Sequence, residues 1–178
     1  YLNELTISSE DNPPAFPCVD DEHKHILTQQ IELFGLMNQM STVQLLDSSI
    51  VKDQTEATLL HDWLKEDETP GEPRLLYRST RDGRDESVFH TKCDNKGSTL
   101  TIIETTDGYV VGGYSNVAWR STTKSQYALA NKAFLFALSG SDIASPCKMK
   151  LKNPNDCYAI CNRSMYGPTF GGGHDLRV

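Results

Sequence analysis

The spacing of apolar positions changes along the chain, and the change divides it. From Lys24 to Met40, Leu27, Ile31, Phe34 and then Met37 or Met40 recur at intervals of three and four, which places them on one stripe of an amphipathic helix. Such a helix either lies on its own domain or forms a short dimerising coiled coil, and fewer than four heptads are visible. A second helix is predicted from Asp53. Asp53 and Glu56 have capping-box spacing, which would satisfy orphan first-turn amides. Ala57, Leu60 and Leu64, flanked by Leu59 and Trp63, form its apolar stripe, and the turn formers of 67–73 (DETPGEP) end it.

Beyond Arg74 the pattern turns to short strands. Residues 74–80 (RLLYRST) are the first. Residues 98–105 (STLTIIET) and 109–114 (YVVGGY) flank Asp107-Gly108, a dipeptide that favours a tight hairpin because glycine tolerates positive φ. In the first arm Leu100 and Ile102 share one face, and Thr99, Thr101, Ile103 and Thr105 the other. Residues 133–139 put Phe134, Phe136 and Leu138 on one side. Residues 148–152 (KMKLK) alternate Lys outward with Met149 and Leu151 inward, and 157–161 (CYAIC) form another strand. Strands following grouped helices indicate an α+β fold, an antiparallel two-sheet β-sandwich flanked by helices.

Length and composition fit one domain with a modest extension: 178 residues, 38% hydrophobic and 23% charged, are enough for a packed core. Residues 1–23, with Asn12-Pro13-Pro14 and Asp20-Asp21-Glu22, read as an acidic extended arm; 24–47 read as the helical segment and 48–178 as the main domain. The net charge of −7 conceals a split. Residues 1–73 carry 15 acids against 3 bases, whereas 74–178 carry 9 against 14. That asymmetry suggests two regions with different tasks. It argues against nucleic-acid binding by the whole chain, since no dense basic cluster with interleaved aromatics occurs. No run approaches the roughly 20 apolar residues of a membrane span. The start at Tyr1, without Met or a signal-like segment, is expected of a fragment, a processed chain or the ordered part of a longer one.

Several segments could carry chemistry. Gly171-Gly172-Gly173, followed by His174-Asp175, could expose amides to an anion. It lacks the Gly-Lys-Ser/Thr of a phosphate loop, and its expected role is a glycine-lined bulge or close sheet contact. His174 and Asp175 would point to opposite faces of a strand. His90 and Cys93 have one-face helical spacing, but a zinc site needs two further ligands, for which Cys157 and Cys161 are the candidates. The expected local role is packing: Asp85 caps a short helix, Val88, Phe89 and Cys93 turn inward, and Asn95-Lys96-Gly97 ends it. No Gly-x-Ser-x-Gly elbow is present, and Asp94-Asn95-Lys96-Gly97 fails as a calcium loop. Arg78, Arg81 and Arg84 beside Asp82, Asp85 and Glu86 form either a solvated face or a partner-binding surface. Five cysteines (Cys18, Cys93, Cys147, Cys157 and Cys161) without framework spacing suit reduced thiols inside a cell; the competing arrangement pairs Cys147 with Cys157 or Cys161 in an exported protein.

These runs together resemble the TLDc domain family. The resemblance is carried in order by 75–83 (LLYRSTRDG), 89–97 (FHTKCDNKG), 99–103 (TLTII), Gly112-Gly113-Tyr114, 133–136 (AFLF) and 166–176 (YGPTFGGGHDL), and by Ser48-Ser49-Ile50 leading into a Leu- and Trp-bearing helix. It implies the two-sheet sandwich flanked by helices, no cofactor and no catalytic residues. It also implies protein partners, among them subunits of the proton-pumping vacuolar ATPase, with a role in oxidative-stress protection; the reduced thiols add the expectation of an intracellular, cytoplasmic location. The family pattern continues past the glycine triplet, so the resemblance implies a domain lacking its final strands. Two other functions are weighed beside it: a scaffolding component docked through its N-terminal arm and helix, and an enzyme using the Cys93 thiol or His174.

Overall fold

The computed structural model describes residues 4–7, 24–37, 48–66 and 72–178. Along the chain lie β1 (Glu4–Ile7), β2 (Lys24–Met37), α1 (Gln54–Glu66), β3 (Glu72–Arg78), α2 (Ser79–Asp82), α3 (Glu86–Cys93), β4 (Thr99–Thr105) and β5 (Val110–Ser115). They are followed by β6 (Gln126–Ala128), β7 (Phe134–Ser139), β8 (Cys147–Lys150), β9 (Ile160–Asn162), β10 (Thr169–Phe170) and β11 (Leu176–Arg177). All strand pairs are antiparallel, in the order β6-β9-β10-β11-β1-β2-β4-β5-β7-β8, with β3 also on β2. The fold is the expected α+β sandwich. Among the described residues, no helix is long and apolar enough to cross a membrane.

The long strand β2 joins the two sheets. Its residues Lys24–Leu27 pair with β1 in the first sheet, whereas Thr28–Gly35 pair with β4 and Glu32–Met37 with β3 in the second. Register shifts fall between Thr28 and Gln30 against β4, and between Leu33 and Phe34 against β3. Bulges of this kind bend a strand and let it pass from one sheet to another.

This corrects the helix expected over 24–40, at least through Met37. Ile31 and Leu33 are buried towards the facing sheet, and Phe34 towards α1. With both faces covered, the period of two disappears from the sequence, and the remaining apolar spacing imitates a helix. Pairing with β4, far along the chain, then outweighs local pattern. Residues 8–23, 38–47 and 67–71 lie outside the described residues, as do Met40 and Cys18.

Two apolar layers hold the fold. One lies between the sheets, where Trp119, Phe89, Phe170, Ile103, Ile160 and Leu176 meet. The Trp119 ring contacts Phe89 and Phe170 edge-on, with centroids 6.3 and 5.4 Å away, and its indole N–H donates to Thr99 Oγ1 at 2.9 Å. The other layer lies between the second sheet and α1. Leu100, Ile102, Phe134, Phe136 and Leu138 face Ala57, Leu60, Trp63 and Leu64. The expected division of β4 into two faces is therefore present, as is the α1 stripe. The β4–β5 hairpin closes at Gly108, whose φ is +81° and whose N–H donates to the Thr105 carbonyl at 3.0 Å.

Local details refine the expectations. Asp53 accepts from the amides of Thr55 and Glu56, and the Thr55 side chain first, then these amides, lower the pKa of its carboxyl. Asp85 precedes α3 but makes no side-chain capping bond; Val88 N–H goes to its backbone carbonyl instead. Lys148, expected to face solvent, has a side chain only 7% exposed. Its ammonium lies 4.4 Å from the Phe134 ring centre and donates to the Trp63 carbonyl and Glu66, closing the C-terminal end of α1.

The glycine in the middle of β5 permits this layering. A Cβ on Gly112 would fall 2.1 Å from the Thr101 carbonyl oxygen and 2.4 Å from the Phe136 ring. Gly112→Ala is expected to lower stability by about 3 kcal/mol through overpacking, read as a reduced urea midpoint at unchanged m-value.

Candidate functional site

The segment after β3 was the candidate binding surface, and each of its arginines has a defined task inside the fold. Arg78 leaves β3 beside Glu32 of β2, its register partner. Glu32 is fully buried. Its Oε1 accepts from Arg78 Nε at 2.8 Å, from Ser49 N–H and Oγ at 2.9 Å each, and from Gln30 Nε2 at 3.1 Å; its Oε2 accepts from Ser48 Oγ at 2.6 Å. Ser48 Oγ in turn accepts from Val51 N–H at 2.9 Å. One carboxylate thus joins β2, β3 and the segment entering α1. Charge-assisted bonds of this number are what keep an ionised group stable away from water.

Arg84 serves the β2 bulge. Its guanidinium donates to the carbonyls of Thr28 at 3.1 Å and Gln29 at 2.6 Å, beside the Thr28/Gln30 register shift where ladder pairing is interrupted. Arg81 forms a two-pronged pair with Asp82, through Nε to Oδ1 at 3.0 Å and an η-nitrogen to Oδ2 at 2.8 Å. Asp82 also accepts from Arg78 N–H at 3.0 Å and lies 3.1 Å from Lys92 Nζ. The Arg81 bonds first, then those of Arg78 and Lys92, hold its carboxyl well below the ordinary carboxylate range. Of the three arginines, Arg81 is the most open, with 46% of its side chain exposed.

The His90–Cys93 segment lies on α3. Cys93 is fully buried in the layer between the sheets, and burial pushes its thiol up. A reactive thiolate requires the opposite environment, which removes Cys93 as a nucleophile. The His90 ring is buried: Nδ1 is 2.8 Å from Asp94 Oδ1, and Nε2 is 3.0 Å from the carbonyls of both Arg163 and Tyr166. Asp94 Oδ2 accepts from Ser121 N–H at 2.7 Å. This network ties α3 to the loops at 121 and 163–166. An open depression of about 340 Å³ lies over it, lined by Ser87, His90, Thr91, Asp94, Ser121 and Ser164.

The proposed zinc ligands do not converge. Cys157 is exposed, Cys161 is buried opposite Tyr127, and among the described residues no three His, Cys, Asp or Glu side chains form a metal-sized group.

Gly171-Gly172-Gly173 form the turn of the β10–β11 hairpin, in which Phe170 pairs with Leu176. Gly171 has φ +82°, and a Cβ there would meet the Asp175 carboxylate at 1.9 Å. His174 follows with φ +61°. Burial first, and then nearby Arg177, lower its pKa. Its ring lies against Tyr166 and Tyr127, at 5.4 and 6.5 Å between centroids, while Tyr166 also carries the guanidinium carbons of Arg163 at 4.8 Å and Arg177 at 5.0 Å. The glycine turn therefore borders an aromatic and basic surface beside β6 and β9. Sequence periodicity could not assemble that surface, because its strands are two or three residues long.

What the geometry defines is an antiparallel sandwich in which the polar residues of the candidate segments mainly hold elements together. The TLDc domain model matches residues 45–178, and the chain belongs to that family. Among curated proteins, it is 28% identical over 129 residues to MTOR-associated protein MEAK7 of Gallus gallus, covering 70% of this chain and 24% of that protein. It is 32% identical over 66 residues to MTOR-associated protein MEAK7 of Mus musculus, covering 37% and 14% respectively. The chain thus matches about a quarter or less of the length of these relatives. No solved structure matches it.

Glu32→Ala is expected to cost about 3–5 kcal/mol, because Arg78 loses its partner and both serines lose an acceptor. A double-mutant cycle with Arg78→Ala, followed by chemical denaturation, should give a coupling above about 1 kcal/mol; additive effects would exclude a joining role for the Glu32–Arg78 pair. Asp82→Asn is a separate case. A depressed folded-state pKa adds stability above the unfolded carboxyl value of about 3.9, and that stability is lost as pH falls through the folded value. Wild type should exceed this variant by about 1 kcal/mol at pH 7, with the gap closing below about pH 4, as read by denaturation at stepped pH.

Proposed function

We propose that this chain is a non-catalytic protein-interaction module whose partner is the proton-pumping vacuolar ATPase and whose activity supports oxidative-stress protection. Membership of the TLDc family is the observation that carries this reading. Its relatives bear the description MTOR-associated, which points to work through protein partners. The candidate chemical groups support the same view. Cys93 is sealed in the core, both nitrogens of His90 are engaged, and Arg78 and Arg84 hold the β2 strand. Arg81 is the arginine of that segment best placed to meet a partner.

Scaffolding through an independent N-terminal arm and helix has less support. Glu4–Ile7 and Lys24–Met37 are strands within the sandwich.

The test is recovery of pump subunits from solubilised membranes by the tagged 178-residue chain, followed by ATP-dependent acidification of vesicles with and without it. Recovery of pump subunits and an altered acidification rate are expected. Absence of both removes the pump as partner.

A further inference from the structure

The first sheet ends at β6. That strand pairs with β9 on one side and stands last in the strand order, leaving an outer edge with no strand partner among the described residues. Backbone donors and acceptors along such an edge can pair with another extended segment. Gln126 and Tyr127 are exposed there.

The exposed large apolar side chains of the described residues all lie in or within three residues of β6 and β9. They are Tyr127 at 37%, Leu129 at 49%, Tyr158 at 50% and Met165 at 66%. Tyr127 and Leu129 lie in and just after β6, while Tyr158 and Met165 flank β9. Such clustering differs from the scattered exposed leucine that any surface carries. The rings are also held in position. Tyr127 and Tyr158 meet edge to face with centroids 4.9 Å apart, and the Tyr127 hydroxyl donates to the Gly172 carbonyl at 3.1 Å. Fixed aromatic side chains lose little freedom when a partner arrives.

The local charge is opposite to that of the whole chain. Residues 119–132 and 157–178, which frame this edge, contain Arg120, Lys124, Lys132, Arg163 and Arg177 against Asp175, in a protein of net charge −7. The other acids that touch them are Asp156, bonded to Tyr158 N–H, and Asp94, bonded to Ser121 N–H, so bases still predominate. Arg120 and Lys124 are exposed. An apolar strip framed by bases fits a segment that carries both apolar and acidic side chains.

We propose that the β6 edge is a docking strip for an extended, acid-bearing segment of a partner protein, which adds to β6 as a further strand and lays apolar side chains on Tyr127, Leu129 and Tyr158. This rests on the interaction-module reading and gives it a location and a ligand chemistry.

The test is selection of a displayed library of random ten-residue peptides on the intact 178-residue chain. Enriched peptides should alternate apolar with acidic residues, and their synthetic forms should lose at least tenfold in affinity against Leu129→Glu and against Lys124→Glu. Both positions are exposed; circular dichroism and melting confirm that the variants are folded. If one variant is unfolded, the other decides. Replacing the peptide acids by lysine should abolish binding.

Binders that are indifferent to both substitutions place the interface elsewhere and overturn the strip, with the module itself intact. A library that yields no binder also overturns the strip, even when pump subunits are recovered. Retention of a labelled oligothymidine in place of any acidic peptide overturns it in favour of nucleic acid. Peptide binding with no recovery of the pump leaves the strip standing and removes only the pump.

Discussion

The buried carboxylate of Glu32 is the constraint on which the arrangement of elements turns. An ionised group in a sheet interior is stable only when its oxygens are saturated with donors, and these donors come from β2 itself, from β3 through Arg78, and from Ser48 and Ser49. Satisfying it fixes three things together: the register of β3 on β2, the path of the segment before α1, and so the position from which Leu60 and Trp63 reach the sheet. Apolar contact alone is non-directional and would tolerate several placements of α1. The carboxylate selects among them.

Once α1 is placed, β4 and β5 must be buried on both faces. The two faces have different partners: Leu100 and Ile102 face the helix, whereas Ile103 and Val111 face the first sheet. Space is gained by removing side chains where layers come close. Gly112 clears the Phe136 ring, and a Cβ on Gly113 would lie 2.7 Å from Phe170 of the opposite sheet. The polar cost of the double burial is carried by specific bonds such as that from Trp119 to Thr99.

What was legible in the sequence follows from this layering. The β4–β5 hairpin could be read because Asp107-Gly108 dictates a turn, and α1 because Asp53 marks its start and only one face is buried. β2 could not, since a strand covered on both sides has no polar alternation, and Glu32 inside it looks like a residue on the wet face of a helix. Its true role depends on Arg78 and Ser48, which periodicity cannot place beside it. Trp119 was equally hidden, sitting outside any strand in a polar stretch although it is the largest fully buried side chain. The β6–β9 edge was half legible: the strand read over 157–161 survives, shifted, as β9 at Ile160–Asn162, whereas β6 was missed, since a three-residue strand has no measurable period and exposure belongs to the assembled sheet.

The charge split read along the chain has a physical meaning in the fold other than two separate tasks. Glu32 pairs with Arg78, and Glu66 with Lys148 and Lys150, so acids of the first 73 residues meet bases of the remainder across the contacts that seat β2 and α1. The asymmetry thus helps to join the two parts of one domain. Arg120 and Lys124 stand exposed beside β6, on the sheet remote in strand order from β8, where Lys148 and Lys150 are occupied with Glu66. The exposed bases at that edge therefore follow from how the fold distributes its charges, and they lie beside the exposed Tyr127 and Leu129. A surface that is apolar, strand-edged and basic in an acidic protein discriminates by charge as well as by shape.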